Sequence, residues 1–132
     1  MPLIWNNTLA TGVRQIDLQH QELIEMINEL EWAHGAGREA DALDDILPRL
    51  AAYVLFHFGT EEALMPAAAI YPAAGNHRRQ HQEFANQIAA LRNRPVAAIE
   101  LDSLIAYLKS WLVEHIMKID QELARYISAK SV

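Results

Sequence analysis

Five of the chain's six histidines, His20, His57, His77, His81 and His115, fall on helical stripes that are otherwise apolar. Two carboxylates, Glu61 and Asp120, sit among the same inward positions. A lone core imidazole satisfies its two nitrogens through ordinary hydrogen bonds. Five together, beside two carboxylates that are costly to bury ionised unless a cation or strong donors meet them, point to a shared metal. A metal takes one nitrogen from each ring and leaves the other to bond an outer partner.

The spacings are those of helix faces. His57 and Glu61 are four residues apart, as are His77 and His81, so each pair projects from one face about a turn apart. His115 and Asp120 are five apart and diverge by roughly 140° on a regular α-helix. Asp120 is expected to reach in from the flank of its stripe rather than through a π-turn, because Ile116, Ile119 and Leu123 keep a core register around it. The His77-x-x-x-His81 pair is no zinc-protease motif, since Arg78 stands where the general-base Glu would be. Glu31-x-x-His34 is the one match to the paired motif of carboxylate-rich di-iron oxidases. His34 lies roughly 21 Å along a straight helix from His20 and cannot join the same cluster.

Four amphipathic segments must position these residues. The first starts after Asp17, read as an N-cap, carries Leu23, Ile24, Ile27 and Leu30, and ends at Gly35 and Gly37. The second covers 40–65, with Pro48 expected to kink a continuous helix because the stripe continues on both sides. Pro66 and Pro72 bracket the next connection, and a third stripe of His77, His81, Phe84, Ile88 and Leu91 runs to Pro95. The fourth, 100–129, is the longest. Short connections predict an all-α, antiparallel, up-down-up-down four-helix bundle: one domain over 1–132, with an N-terminal arm over 1–16 and the bundle over 17–129.

Composition narrows the chemistry. With 132 residues, 52% hydrophobic and 21% charged, the chain can bury one core. A net charge of -6 gives no basic field, so nucleic acid is not expected as a partner. The absence of cysteine excludes disulfides, thiolate zinc sites, iron–sulfur clusters and thioether-linked haem, and leaves nitrogen and oxygen ligands for any metal. No apolar run is long enough to insert into a membrane, and the cytoplasm is the expected location.

Asp17-x-Gln19-His20, His57-Phe58-x-x-Glu61-Glu62, Tyr71-Pro72 followed by His77-x-x-x-His81, and Trp111-x-x-x-His115-Ile116-x-x-x-Asp120 together closely resemble the hemerythrins, especially bacterial single-domain ones. The resemblance covers nearly the whole chain. It implies that His77, His81 and His115 bind one iron and His20 and His57 the other. Glu61, Asp120 and an oxo or hydroxo group would bridge the two ions. Two octahedral ions offer twelve positions, of which this set fills eleven. The open one falls on the iron with two histidines and fits a small diatomic ligand.

The resemblance therefore implies reversible O2 binding for storage, transport or delivery, with no obligatory catalytic turnover. The alternative is a di-iron enzyme or sensor acting on peroxide, nitric oxide or O2, and any O2-consuming or reductase partner is unidentified. Leu23, Ile24, Trp111, Ile116 and Ile119 are the expected pocket walls. Glu62, Arg78 and Arg79 are read as solvated, and Gln19 as a residue behind the ligands.

Overall fold

The computed structural model describes residues 2–66, 70–92 and 100–130, and among these every regular element is helical. After a short 3-10 turn, Asn7–Leu9, come α1 (Arg14–Gly35), α2 (Glu39–Asp41), α3 (Leu47–Leu64), α4 (Ala74–Arg92), α5 (Leu101–Glu114) and α6 (Gln121–Lys130). A π-turn, Ala42–Ile46, joins α2 to α3, and a second, His115–Asp120, joins α5 to α6. The six pieces therefore make four rods. Helix α1 packs on α3 and α5, and α3 packs on α4, which gives the antiparallel four-helix bundle. Pro95 lies outside the described residues.

Helix α1 starts three residues before Asp17. Its N-cap position is Val13, which makes no side-chain cap. Asp17 instead turns backwards: its carboxylate accepts from the Thr11 backbone N–H at 2.8 Å, the Thr11 hydroxyl at 2.7 Å and the Gly12 N–H at 3.1 Å. Expected as an N-cap, it ties down the turn before the helix, where Gly12 takes a left-handed φ of 85°. The exit follows the expected glycine stop. Gly37 has φ 74°, and the Arg38 N–H returns to the Ala33 carbonyl at 2.8 Å.

The expected helical continuity across Pro48 holds, with backbone dihedrals helical at Asp41, Ile46 and Leu47. The proline takes one of the first positions of α3, directly after the π-turn. There the Leu47 N–H reaches back five residues to Ala42, so the disturbance expected as a kink is taken up by a wider turn.

The apolar interior falls into two parts. A large core contains Leu23, Ile27, Leu30, Leu50, Val54, Phe58, Phe84, Leu104, Leu108 and Ile116. A small one contains Ile16, Met65, Tyr71, Ala74 and Leu123. Along each rod the polar residues fall between them: His20 between Ile16 and Leu23, Glu61 between Phe58 and Met65, His77 between Ala74 and Phe84, and Asp120 between Ile116 and Leu123. The large core supplies most of the hydrophobic stability. Truncating a residue as deeply buried as Leu30 or Leu50 to Ala costs about 2–5 kcal/mol.

Candidate metal centre

Each rod delivers part of one polar layer. His20 comes from α1, His57 and Glu61 from successive turns of α3, His77 and His81 from successive turns of α4, and His115 and Asp120 from the two ends of the second π-turn. All seven are buried. The flank approach expected for Asp120 is not what occurs. An i→i+5 turn sets residues five apart on the same face, so the local π geometry brings Asp120 inward while Ile116 and Leu123 stay in the core.

Distances divide the histidines three and two. Glu61 Oε1 lies 3.0 Å from His81 Nε2, 3.5 Å from His77 Nε2 and 3.9 Å from His115 Nε2. Asp120 Oδ1 lies 3.2 Å from His77 Nε2 and 3.1 Å from His115 Nε2. The second oxygens face the other pair: Glu61 Oε2 is 3.6 Å from His20 Nε2 and 3.5 Å from His57 Nε2, and Asp120 Oδ2 is 3.0 Å from His20 Nε2. Each carboxylate thus offers one oxygen to each group. Within Glu61, His77, His81, His115 and Asp120, and again within His20, His57, Glu61 and Asp120, the ligand atoms lie within 4.8 Å of one another.

Apart from His81 Nε2 and His115 Nε2, which lie 3.2 Å apart, the atoms converge without pairing. His20 Nε2, His57 Nε2, His77 Nε2 and all four oxygens of Glu61 and Asp120 are buried with no hydrogen-bond partner, despite separations near 3 Å. They crowd into the two groups just described without satisfying one another. A cation supplies the missing acceptor, so the donor set fits a nitrogen- and oxygen-ligated metal.

The outer ring nitrogens are mostly held from behind. His57 Nδ1 bonds Gln19 Oε1 at 2.8 Å, and the Gln19 amide donates to Thr60 Oγ1 at 3.1 Å. His77 Nδ1 meets the Tyr71 hydroxyl at 3.0 Å, His81 Nδ1 meets Glu62 Oε2 at 3.3 Å, and His115 Nδ1 meets Gln80 Oε1 at 3.3 Å. With the outer nitrogen donating in this way, Nε2 carries the lone pair toward the centre. Glu62, read from sequence as solvated, in fact links His81 to Arg78, whose guanidinium lies 3.5 Å away. Gln80 had no signal in the sequence, because it meets His115 across two helices.

Charge is concentrated here. Burial pushes the Glu61 and Asp120 carboxyls up, but the surrounding imidazoles overcome it and hold both well below the usual carboxylate range. Burial also pulls His20 and His115 down, and Asp120 with Glu61 outweighs it, raising each to about 9. His81 moves the other way, because burial and the neighbouring His77 and His115 outweigh the attraction of Glu61.

Beside this layer lies an apolar cavity of about 20 Å³, room for roughly one water-sized molecule. Leu23 and Trp111 line it, together with Ile27, Val54, Phe58, Phe84, Leu108, His57 and His115. Ile24, Ile116 and Ile119 do not. Ile24 and Ile116 are turned a residue away from Leu23 and His115 into core packing, and Ile119 is only half-buried. Flat ring contacts support two of the histidines: Phe58 stacks on His81 at 3.9 Å and 6°, and Trp111 on His115 at 4.5 Å and 11°. His34 lies apart, as expected, bonded to Glu39 and Asp102.

Fold and centre together define an all-α bundle protein with a buried imidazole–carboxylate cation site. Residues 11–127 match the family model described as the hemerythrin HHE cation binding domain, and the chain belongs to the hemerythrin family. It is 35% identical over 128 residues to a bacteriohemerythrin of Stenotrophomonas maltophilia, spanning 96% of this chain and 82% of the relative. A bacteriohemerythrin of Pseudomonas aeruginosa is 36% identical over 128 residues, spanning 96% and 80%. A crystal structure of wild-type hemerythrin superposes with a TM-score of 0.85 at 26% identity, covering 97% of this chain and 99% of that one. No helix among the described residues is long and apolar enough to cross a membrane.

Proposed function

We propose that the chain binds dioxygen reversibly at a di-iron centre and stores, carries or delivers it. In this reading His77, His81 and His115 hold one iron, His20 and His57 hold the other, and Glu61 and Asp120 bridge them with an oxo or hydroxo group. The carrying observation is the division of carboxylate oxygens, one of each residue toward three histidines and the other toward two. When bound, the iron pair supplies the electrons and the open coordination position that hold dioxygen.

The chain's own residues favour holding a ligand over turning it over. The cavity walls beside His57 and His115 are aliphatic and aromatic, which excludes water from a bound diatomic. None of its lining residues is a carboxylic acid, hydroxyl or lysine, so protons for reducing a bound ligand would have to come from solvent rather than from such a group on the wall. The same walls suit a small apolar guest, which favours binding as the primary role.

Elemental analysis of the chain expressed with ample iron tests this reading together with absorption spectra under inert gas and O2. Two irons per chain and a visible band that appears with O2 and vanishes on its removal are expected. One iron, zinc alone, or a spectrum indifferent to O2 overturns it.

A further inference from the structure

The centre is sealed from solvent, yet one of its rings is joined to the surface by other rings. Trp111 lies flat on His115, Phe84 stacks on Trp111 at 4.0 Å and 25°, and Tyr107 stacks on Phe84 at 5.8 Å and 19°. Trp111 and Tyr107 are each half-buried, so the sequence of rings runs from a wholly enclosed layer to solvent. Trp111 and Tyr107 are also the readily oxidised members, four residues apart on α5 with the Phe84 ring packed against both. The other stacked histidine, His81, reaches the same indole less directly, through Phe58, whose ring is tilted 57° to Trp111 at 5.7 Å. Tyr71 meets His77 edge-on, at 6.1 Å and 81°, and touches it through its hydroxyl, 3.0 Å from Nδ1, rather than through ring overlap; with Tyr126 at 5.0 Å it forms the competing path.

We propose that Trp111 and Tyr107 form a one-electron relay that drains oxidising equivalents from the metal layer to the surface. The relay rests on the di-iron reading above, because it needs a redox-active metal beside His115. Its work would begin if a bound redox-active metal reduced hydrogen peroxide: the O–O bond would break, with two electrons from the relay and two protons from solvent giving two waters. Each electron is drawn from the Trp111 indole, whose Nε1 proton passes to solvent. Tyr107 refills the indole with an electron, its own phenolic proton leaves to solvent, and the indole nitrogen is reprotonated. A solvent thiol then returns a hydrogen atom to the Tyr107 oxygen, and two such sulfurs couple to a disulfide. The balance is one peroxide and two thiols consumed, two waters and one disulfide formed. Without the relay the same oxidant would be spent on the ligand imidazoles.

The three tryptophans provide an internal comparison. Trp32 is the most exposed, at 62%, and is remote from the layer, while Trp5 packs on the core from the N-terminal arm. The full iron-loaded chain is treated with hydrogen peroxide in the absence of thiol, and oxygen addition at each aromatic residue is read by peptide mass mapping. Oxidation at Trp111 is expected to exceed that at Trp32 several-fold, although bulk oxidant would favour the exposed ring. Zinc-loaded chain is expected to lose the excess at Trp111. Tyr107→Phe, which keeps the stacked ring, should raise Trp111 damage several-fold, and added thiol should suppress it in the wild-type chain but not in the variant. Equal oxidation of Trp32 and Trp111, persistence of the Trp111 product with zinc, or products at Tyr71 and Tyr126 in its place overturns the relay. Iron content and the O2-dependent spectrum are recorded on the same samples: a normal spectrum with no Trp111 excess defeats the relay alone, and absence of iron defeats the di-iron reading and the relay with it.

Discussion

His115 and Asp120 stand at the two ends of one π-turn, with His115 Nε2 3.1 Å from Asp120 Oδ1. The turn is an α-helix with one residue added, and the flanking helices keep their core registers on either side. Deleting the exposed Lys118 from it should therefore leave a plain α-helix in which the His115 and Asp120 side chains are four apart and still share a face. Thermal unfolding should stay cooperative, with a cost below about 2 kcal/mol, and metal loading should persist. A deletion that swung Leu123 and Ala124 out of the core would cost several kcal/mol, so loss of folding would contradict the one-residue insertion.

Gln19 gives a test of the support behind the ligands. Gln19→Leu removes the acceptor of the His57 Nδ1 proton and leaves a buried N–H unpaired, a cost of about 1–3 kcal/mol. Metal affinity should fall about 10–100-fold, as it does when an outer partner of a metal-bound imidazole is lost. Competition with a chelator measures this. Unchanged affinity would mean that His57 is oriented by packing alone.

Metal removal should reverse the response to pH. In the stripped chain His20 and His115 are raised to about 9, since Asp120 and Glu61 outweigh the opposing effect of burial. A folded value above the usual 6.5 stabilises fully below about pH 6.5, and that contribution is lost as pH rises through about 9. The stripped chain should melt at a lower temperature near pH 10 than near pH 6. Metal needs the neutral imidazole and releases protons on binding, so the stabilisation it adds grows over the same interval. A melting temperature of the stripped chain that does not change across it would show that the carboxylates do not hold these protons.

His34 is the control. Its two nitrogens meet Glu39 at 2.7 Å and Asp102 at 2.9 Å, which raises its pKa and ties the end of α1 to the starts of α2 and α5. His34→Ala should leave metal content and the O2 spectrum untouched, whereas His20→Ala should abolish O2 binding. Its small loss of stability should be fullest below about pH 6.5 and fade as pH passes the elevated folded value. Metal loss equal to that of His20→Ala would place His34 in the centre.

Much of this is legible in the sequence, because helical stripes are local: His57 with Glu61 and His77 with His81 reveal their common face from spacing alone. The π-turn was half legible. A five-residue interval between His115 and Asp120 signalled a departure from α geometry, but the apolar pattern of Ile116 and Leu123 is compatible with either a flank approach or an added residue. Of the partners behind the rings, Gln19 was legible beside His20, whereas His81 with Glu62 and His115 with Gln80 were not, since these are contacts between different helices. Asp17 misled for a related reason: an acidic residue near a helix start can serve the helix ahead of it or the turn behind it, and here it binds Thr11 and Gly12.

The polar layer also cuts the hydrophobic interior unequally, with Ile16, Met65, Tyr71, Ala74 and Leu123 on its far side. A cluster that small is a weak cooperative unit by itself, and it is joined to the larger one through residues that repel or strand their lone pairs unless something bridges them. A cation drawing ligands from all four rods would act as a rivet between two foldons. On that account, chelation would lower amide-exchange protection around Ile16, Tyr71 and Leu123 far more than around Leu30 and Leu50, so that one end of the bundle melts ahead of the other.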